Sequence, residues 1–124
     1  MSAFRALCRE NGEVLLARAK WCGSFWCKLR GLMFRRSLPA SEGLIFVYER
    51  ESVLETTIHM LFMAFPIAAI WLDAEGRVVD KALAKPWRLA YAPRCPAQYV
   101  IEARPDLLER VQVGERLVFS TKDS

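Results

Sequence analysis

The chain has 124 residues, 53% of them hydrophobic and 26% charged, with a formal net charge of +4. Such a chain suits one domain, residues 1–124, able to bury roughly two-thirds of its unfolded surface, and its composition excludes a disordered or fibrous protein. The cations are spread along the sequence, from Arg5 through Lys28 and Arg36 to Arg104, which predicts weak attraction to anions and no concentrated basic segment.

Phe4 to Cys8 and Val14 to Ala19 are apolar-rich runs joined by Arg9 to Glu13. The Asn11-Gly12 pair between them predicts a hairpin, because both residues tolerate positive φ. Ser24 offers an N-cap for a short helix. At helical spacing Phe25, Trp26, Leu29, Leu32 and Met33 share one face, expected to pack inward, while Cys27 and Gly31 point away. Gly43 to Tyr48 reads as a strand buried on both faces. Thr56 to Met63 is ambiguous by pattern; its β-branched start and the terminating Pro66 favour a strand. Ile67 to Leu72 and Val78 to Leu83 read as strands joined by the Asp73-Ala74-Glu75-Gly76 turn. Tyr99 to Ala103 and Leu117 to Ser120 close the series, with a short helix after Pro105 between them.

The fold class expected is therefore mainly β (α+β). It is a small curved sheet or partly closed barrel of seven to eight short strands with one or two short helices. The longest apolar run, Ile58 to Leu72, has 15 residues and contains His59 and Pro66. A spanning helix needs about 20, so no membrane span is expected. The N-terminus lacks an apolar signal core, which points to the cytoplasm. Cys8, Cys22, Cys27 and Cys95 are then expected as reduced thiols.

Cys22, Cys27, Cys95 and His59 could in principle form a Cys3His zinc site, but two of the four are isolated singles, so no metal and no cofactor is expected. His59, the only histidine, falls among apolar residues as a hydrogen-bonded core or rim group. No serine or cysteine stands in a nucleophile context, and no nucleophile–base pair can be named. Lys28, Arg30, Arg35 and Arg36 interleaved with Trp26 and Phe34 have an RNA-binding look. The aromatics are expected in the core instead, and no nucleic-acid partner is expected. The loop Lys85 to Pro96 is the better site candidate. Prolines restrict it, Trp87 and Tyr91 offer ring surfaces, and Arg88 and Arg94 can grip an anion.

Taken in order, several segments resemble one family. They are Arg30-Gly31-Leu32-Met33-Phe34-Arg35, Glu42 to Val47, Asp73 to Val79, Pro93 to Glu102 and Val113-Gly114-Glu115. The chain resembles the domain-of-unknown-function 192 family from about Ala19 to Phe119. The resemblance implies a mainly β, barrel-like domain, often exported in relatives, with no assigned reaction. Relatives commonly carry a W-M-K-N-T segment shortly before P-L-D; here His59-Met60-Leu61-Phe62-Met63 and Pro66-Ile67-Ala68 stand there, so most of those polar groups are gone. Arg30 and Glu102 remain as shared polar positions and could pair.

The functional expectation is a non-catalytic binding or accessory module for a small anionic or sugar-like ligand. Trp87, Arg88, Tyr91 and Arg94 form its expected contact surface, with Arg30 and His59 as further candidates. The alternative is a protein–protein adaptor or homodimer using apolar surface around Met60 to Phe65.

Overall fold

The structure is a computed structural model that describes residues 3–120. Its elements run β1 (Phe4–Arg9), β2 (Val14–Cys22), α1 (Phe25–Arg30), β3 (Glu42–Ser52), β4 (Ile67–Leu72), β5 (Val78–Ala84), β6 (Ala97–Ala103), α2 (Leu107–Arg110) and β7 (Leu117–Ser120). All seven strands join one sheet in the order β5-β4-β6-β3-β2-β1-β7, curled into a half-barrel. Asn11-Gly12 makes the expected reversal between β1 and β2, with Gly12 at φ 95. Every neighbouring pair is antiparallel except β2 and β3. Parallel neighbours need a crossover rather than a tight turn. Residues 23–41, containing α1, supply it.

The sheet is buried on both sides, and strand alternation divides its side chains between two cores. Ala68, Ile70 and Leu72 of β4 join Ile45 and Ile101 in one, which Leu107 closes from α2. Ile67, Ala69 and Trp71 join Leu44, Phe46 and Val100 in the other, covered by Leu32, Ile58, Met60 and Met63 from the connecting segments. Gly43 is required where β3 meets β6, because a Cβ there would lie 2.6 Å from the Glu102 carbonyl oxygen and 2.9 Å from Leu16 Cδ1.

Three sequence expectations are corrected. Thr56 to Met63 is not a strand: its single sheet-like feature is a bridge between Ile58 and Tyr91. The Thr56 and Thr57 hydroxyls donate back to the Ser52 and Val53 carbonyls at 2.6 and 2.9 Å, a local pattern that competes with a ladder. The helix α1 has no buried residue, and the part of the expected apolar stripe within it, Phe25, Trp26 and Leu29, is exposed, while Leu32 just beyond it is buried as expected. Cys27 and Gly31 turn inward instead; a Cβ on Gly31 would sit 3.3 Å from the Phe46 ring. Finally, Cys22 and Cys27 are not thiols but a disulfide, which fastens α1 to the end of β2. Cys8 and Cys95 are free.

Candidate functional site

Between α1 and the sheet lies a cavity of about 220 Å³. Its roof is the helix, from Phe25 to Gly31, and its floor is Phe46, Tyr48 and Glu102 from β3 and β6. Segment 55–63 closes one side with Thr57, His59 and Met63. Ser24 caps the helix, its hydroxyl accepting from the Cys27 N–H at 3.1 Å, and Gly31 ends it at φ 45. That glycine keeps the roof close to the floor, since its missing Cβ would come within 3.3 Å of the Phe46 ring, with Glu102 Oε1 in ordinary contact at 3.6 Å.

Glu102 is the unusual group. Alternation along β6 places it on the same face as Val100, inside the second core, and it is only 4% exposed. Its carboxyl makes no hydrogen bond or ion pair with any described residue. Burial alone pushes its pKa up to about 8, so at pH 7 the neutral carboxyl is favoured. Beside it, burial raises the Tyr48 hydroxyl to about 12, with smaller contributions from Glu102 and Glu55. The Lys28 ammonium lies 3.8 Å from the centre of the Tyr48 ring, and desolvation lowers its pKa. The cavity thus presents a largely neutral acid, a phenol, the cations Lys28 and Arg30 and the carboxylate Glu55 against a mostly apolar wall.

His59 lines this cavity, but both ring nitrogens are occupied. Nδ1 accepts from the Leu61 N–H at 3.2 Å, so Nε2 carries the hydrogen and donates to the Leu29 carbonyl at 3.1 Å. The ring therefore ties segment 55–63 to the helix. Arg30 also lines the cavity, yet it does not pair with Glu102 and forms no ion pair among the described residues.

The other four expected contact residues lie on a separate surface. The loop carrying them is laced to segment 55–63 by backbone bonds, Met60 N–H to Arg88 O at 2.9 Å and Trp87 N–H to Met60 O at 2.7 Å. Trp87 is exposed and its ring meets Phe62 at 5.1 Å. Tyr91 is half-buried, its hydroxyl accepting from the Lys85 N–H at 2.8 Å, and Arg88 lies over its ring. Arg94 is exposed beside Asp80, whose carboxylate accepts its backbone N–H. The structure therefore groups Arg30 and His59 at the cavity and leaves Trp87, Arg88, Tyr91 and Arg94 outside it. The apolar segment around Met60 to Phe65 is likewise divided: Met60 and Met63 are core residues, and Phe62 is exposed.

Sequence reasoning named Glu102 only as a partner for Arg30. The signal that could have found it is the lone carboxyl inside the otherwise uncharged run Tyr99 to Ala103, since a strand covered on both faces would force that carboxyl into the core.

Comparison with known proteins extends this picture. The model of DUF192, an uncharacterized ACR family, matches residues 7–119. The chain is 38% identical over 105 residues to UPF0127 protein TK1120 of Thermococcus kodakarensis, covering 85% of this chain and 65% of that protein. It therefore spans less than two-thirds of that relative's length. It is 35% identical over 109 residues to UPF0127 protein PF1050 of Pyrococcus furiosus, covering 86% and 90%. Two crystal structures share the fold. One is a candidate transcription regulator from Sinorhizobium meliloti 1021, at a TM-score of 0.81 and 21% identity over 94% of this chain and 92% of that one. The other is a protein of unknown function from Novosphingobium aromaticivorans, at 0.77 and 23% over 93% and 83%. A family match over nearly the whole chain, joined to relatives above a third in identity, means that the chain belongs to the DUF192 family.

Proposed function

We propose that the protein is a non-catalytic binding module for a small, sugar-like ligand held beneath α1. The observation that carries this reading is Glu102, a buried carboxyl facing a cavity with no partner. Buried polar groups are normally hydrogen-bonded, and the Glu102 oxygens open only onto what fills the cavity. A ligand hydroxyl would satisfy them. The neutral acid can donate and accept at once, as can the Tyr48 hydroxyl, which suits an alcohol better than an anion. Titration of Glu102 near pH 8 would set a negative charge against any carboxylate or phosphate. The cavity, about 220 Å³, is below the roughly 300–1,000 Å³ of drug-sized sites, so the ligand is about the size of a monosaccharide. Arg30 serves as a rim cation and His59 as scaffold.

Calorimetric titration of aldopentoses and aldohexoses at pH 7 tests this. Binding should weaken by about tenfold in Glu102→Ala, the loss of one buried hydrogen-bonding group. It should persist in Trp87→Gly. If no neutral sugar binds, or if Glu102→Ala binds like the parent, the reading fails. Cytoplasmic residence would require the Cys22–Cys27 bond to survive a reducing pool, since disulfides persist mainly in oxidising compartments. Thiol alkylation in fresh lysate measures that directly.

A further inference from the structure

We propose that the exposed aromatic ridge Phe34–Phe62–Trp87 docks the protein on an anionic lipid surface. The ridge is assembled from three separate segments. Its ring centroids stand 5.2 and 5.1 Å apart, and the side chains are 68%, 47% and 59% exposed. Among the described residues, these same three are the non-glycine residues at positive φ, at 65, 59 and 70. A bulky side chain at positive φ is a genuine outlier, and such strain persists only where the surrounding structure enforces it. Here the Phe34 N–H is held by the Phe62 carbonyl at 3.0 Å and the Trp87 N–H by Met60. Three strained backbones converge on three rings that meet in series through Phe62 and face solvent. Core packing does not account for that, because the rings are not in the core.

Charge says what the ridge meets. Segments 23–41, 56–72 and 81–98, each of which carries one of the three rings, contain no aspartate or glutamate. Arg30, Arg35, Arg36 and Arg88 accompany the ridge, and no described carboxylate pairs with them. Folding thus brings Arg88 to the side that already carries Arg30, Arg35 and Arg36. Beside Phe34 runs an open apolar groove lined by Trp26, Leu29 and Met33. Tryptophan and phenylalanine beside arginine, with aliphatic surface between them, is the composition that sits at a membrane–water boundary. A second copy of the chain fits poorly, because two such faces would oppose arginine to arginine. Single-stranded nucleic acid needs ring faces free for successive bases. These rings are tilted 31° and 62° to one another and engage each other instead.

Co-sedimentation with vesicles tests the proposal. One set contains phosphatidylcholine and phosphatidylserine in equal amounts, the other phosphatidylcholine alone. The protein should sediment with the anionic set and much less with the neutral one. Arg35→Gln/Arg36→Gln should lower partitioning by about 25-fold, at roughly fivefold per arginine near an anionic surface. Both side chains are exposed, so this variant tests the idea without endangering the fold. Trp87→Gly, which keeps the left-handed turn without strain, should also weaken sedimentation. Equal binding to both vesicle sets, or none to either, overturns the proposal. So does tight binding of a single-stranded oligonucleotide without vesicle binding, or a dimer in solution that Trp87→Gly dissolves.

Discussion

Replacing Glu102 by glutamine should leave stability nearly unchanged at acidic pH and raise it progressively as pH increases. In the unfolded chain the carboxyl titrates near its ordinary 4.5, and in the folded protein near 8. Between those values the folded state holds a proton that the unfolded state has released. Stability present below pH 4.5 is therefore lost as pH rises, and the loss is complete by about pH 8. Each unit removes about 1.4 kcal/mol, so the whole window removes roughly 5 kcal/mol. That is comparable with the entire stability of a small domain, about 5–15 kcal/mol. Glu102→Gln keeps the shape and a neutral polar head but cannot ionise. Urea unfolding of both proteins, repeated from pH 4 to pH 9, isolates the effect, because the other carboxylates cancel in the difference. The variant should gain on the parent with a slope near 1.4 kcal/mol per unit and then level off. A difference that stays flat between pH 5 and pH 8 would refute the argument, since it would mean that Glu102 is solvated or paired.

Other expectations can be checked by the same unfolding measurements. Gly43→Ala should cost about 2 kcal/mol or more, because its methyl meets the β6 backbone, which cannot move without breaking the β3–β6 ladder. Removing the disulfide with Cys22→Ser/Cys27→Ser should cost about 2 kcal/mol on chain entropy, and hydrogen exchange should rise in α1 while the sheet stays protected. Trp71→Phe should cost about 2 kcal/mol, because the buried Nε1–H that donates to the Thr56 carbonyl at 2.8 Å is lost. If exchange rises equally in the sheet of the disulfide variant, the bond holds more than the helix.

The strands were legible because two signals agree at each of them. β-branched and apolar runs stop at chemically specific turns, Asn11-Gly12 and Asp73 to Gly76, and the register follows from alternation. The orientation of α1 was not legible by the same logic. Hydrophobic spacing selected Phe25, Trp26, Leu29, Leu32 and Met33 as the inner face; Leu32, just past the helix, is indeed in the core, yet within α1 the sheet accepts Cys27, with Gly31 at its end. A covalent link and a missing Cβ decide that approach, and neither contributes to an apolar periodicity. Thr56 to Met63 failed for a related reason: its hydroxyls satisfy nearby carbonyls, so β-branching there supports a turn. Of the candidate site, Arg30 and His59 were found from sequence. The cavity itself was not, because it needs Glu102 and Tyr48 brought under a helix many residues earlier in the chain.

The crossover between β2 and β3 has one more consequence. The strands determine the shape of the molecule through pairings that do not involve residues 23–41. That excursion is obligatory for a parallel pair, but its length and chemistry are free, and it supplies both the cavity's ceiling and one flank of the aromatic ridge. Architecture and recognition are thus written in different stretches of the same short chain. Variation within the crossover can change what the protein meets while the half-barrel beneath it stays the same.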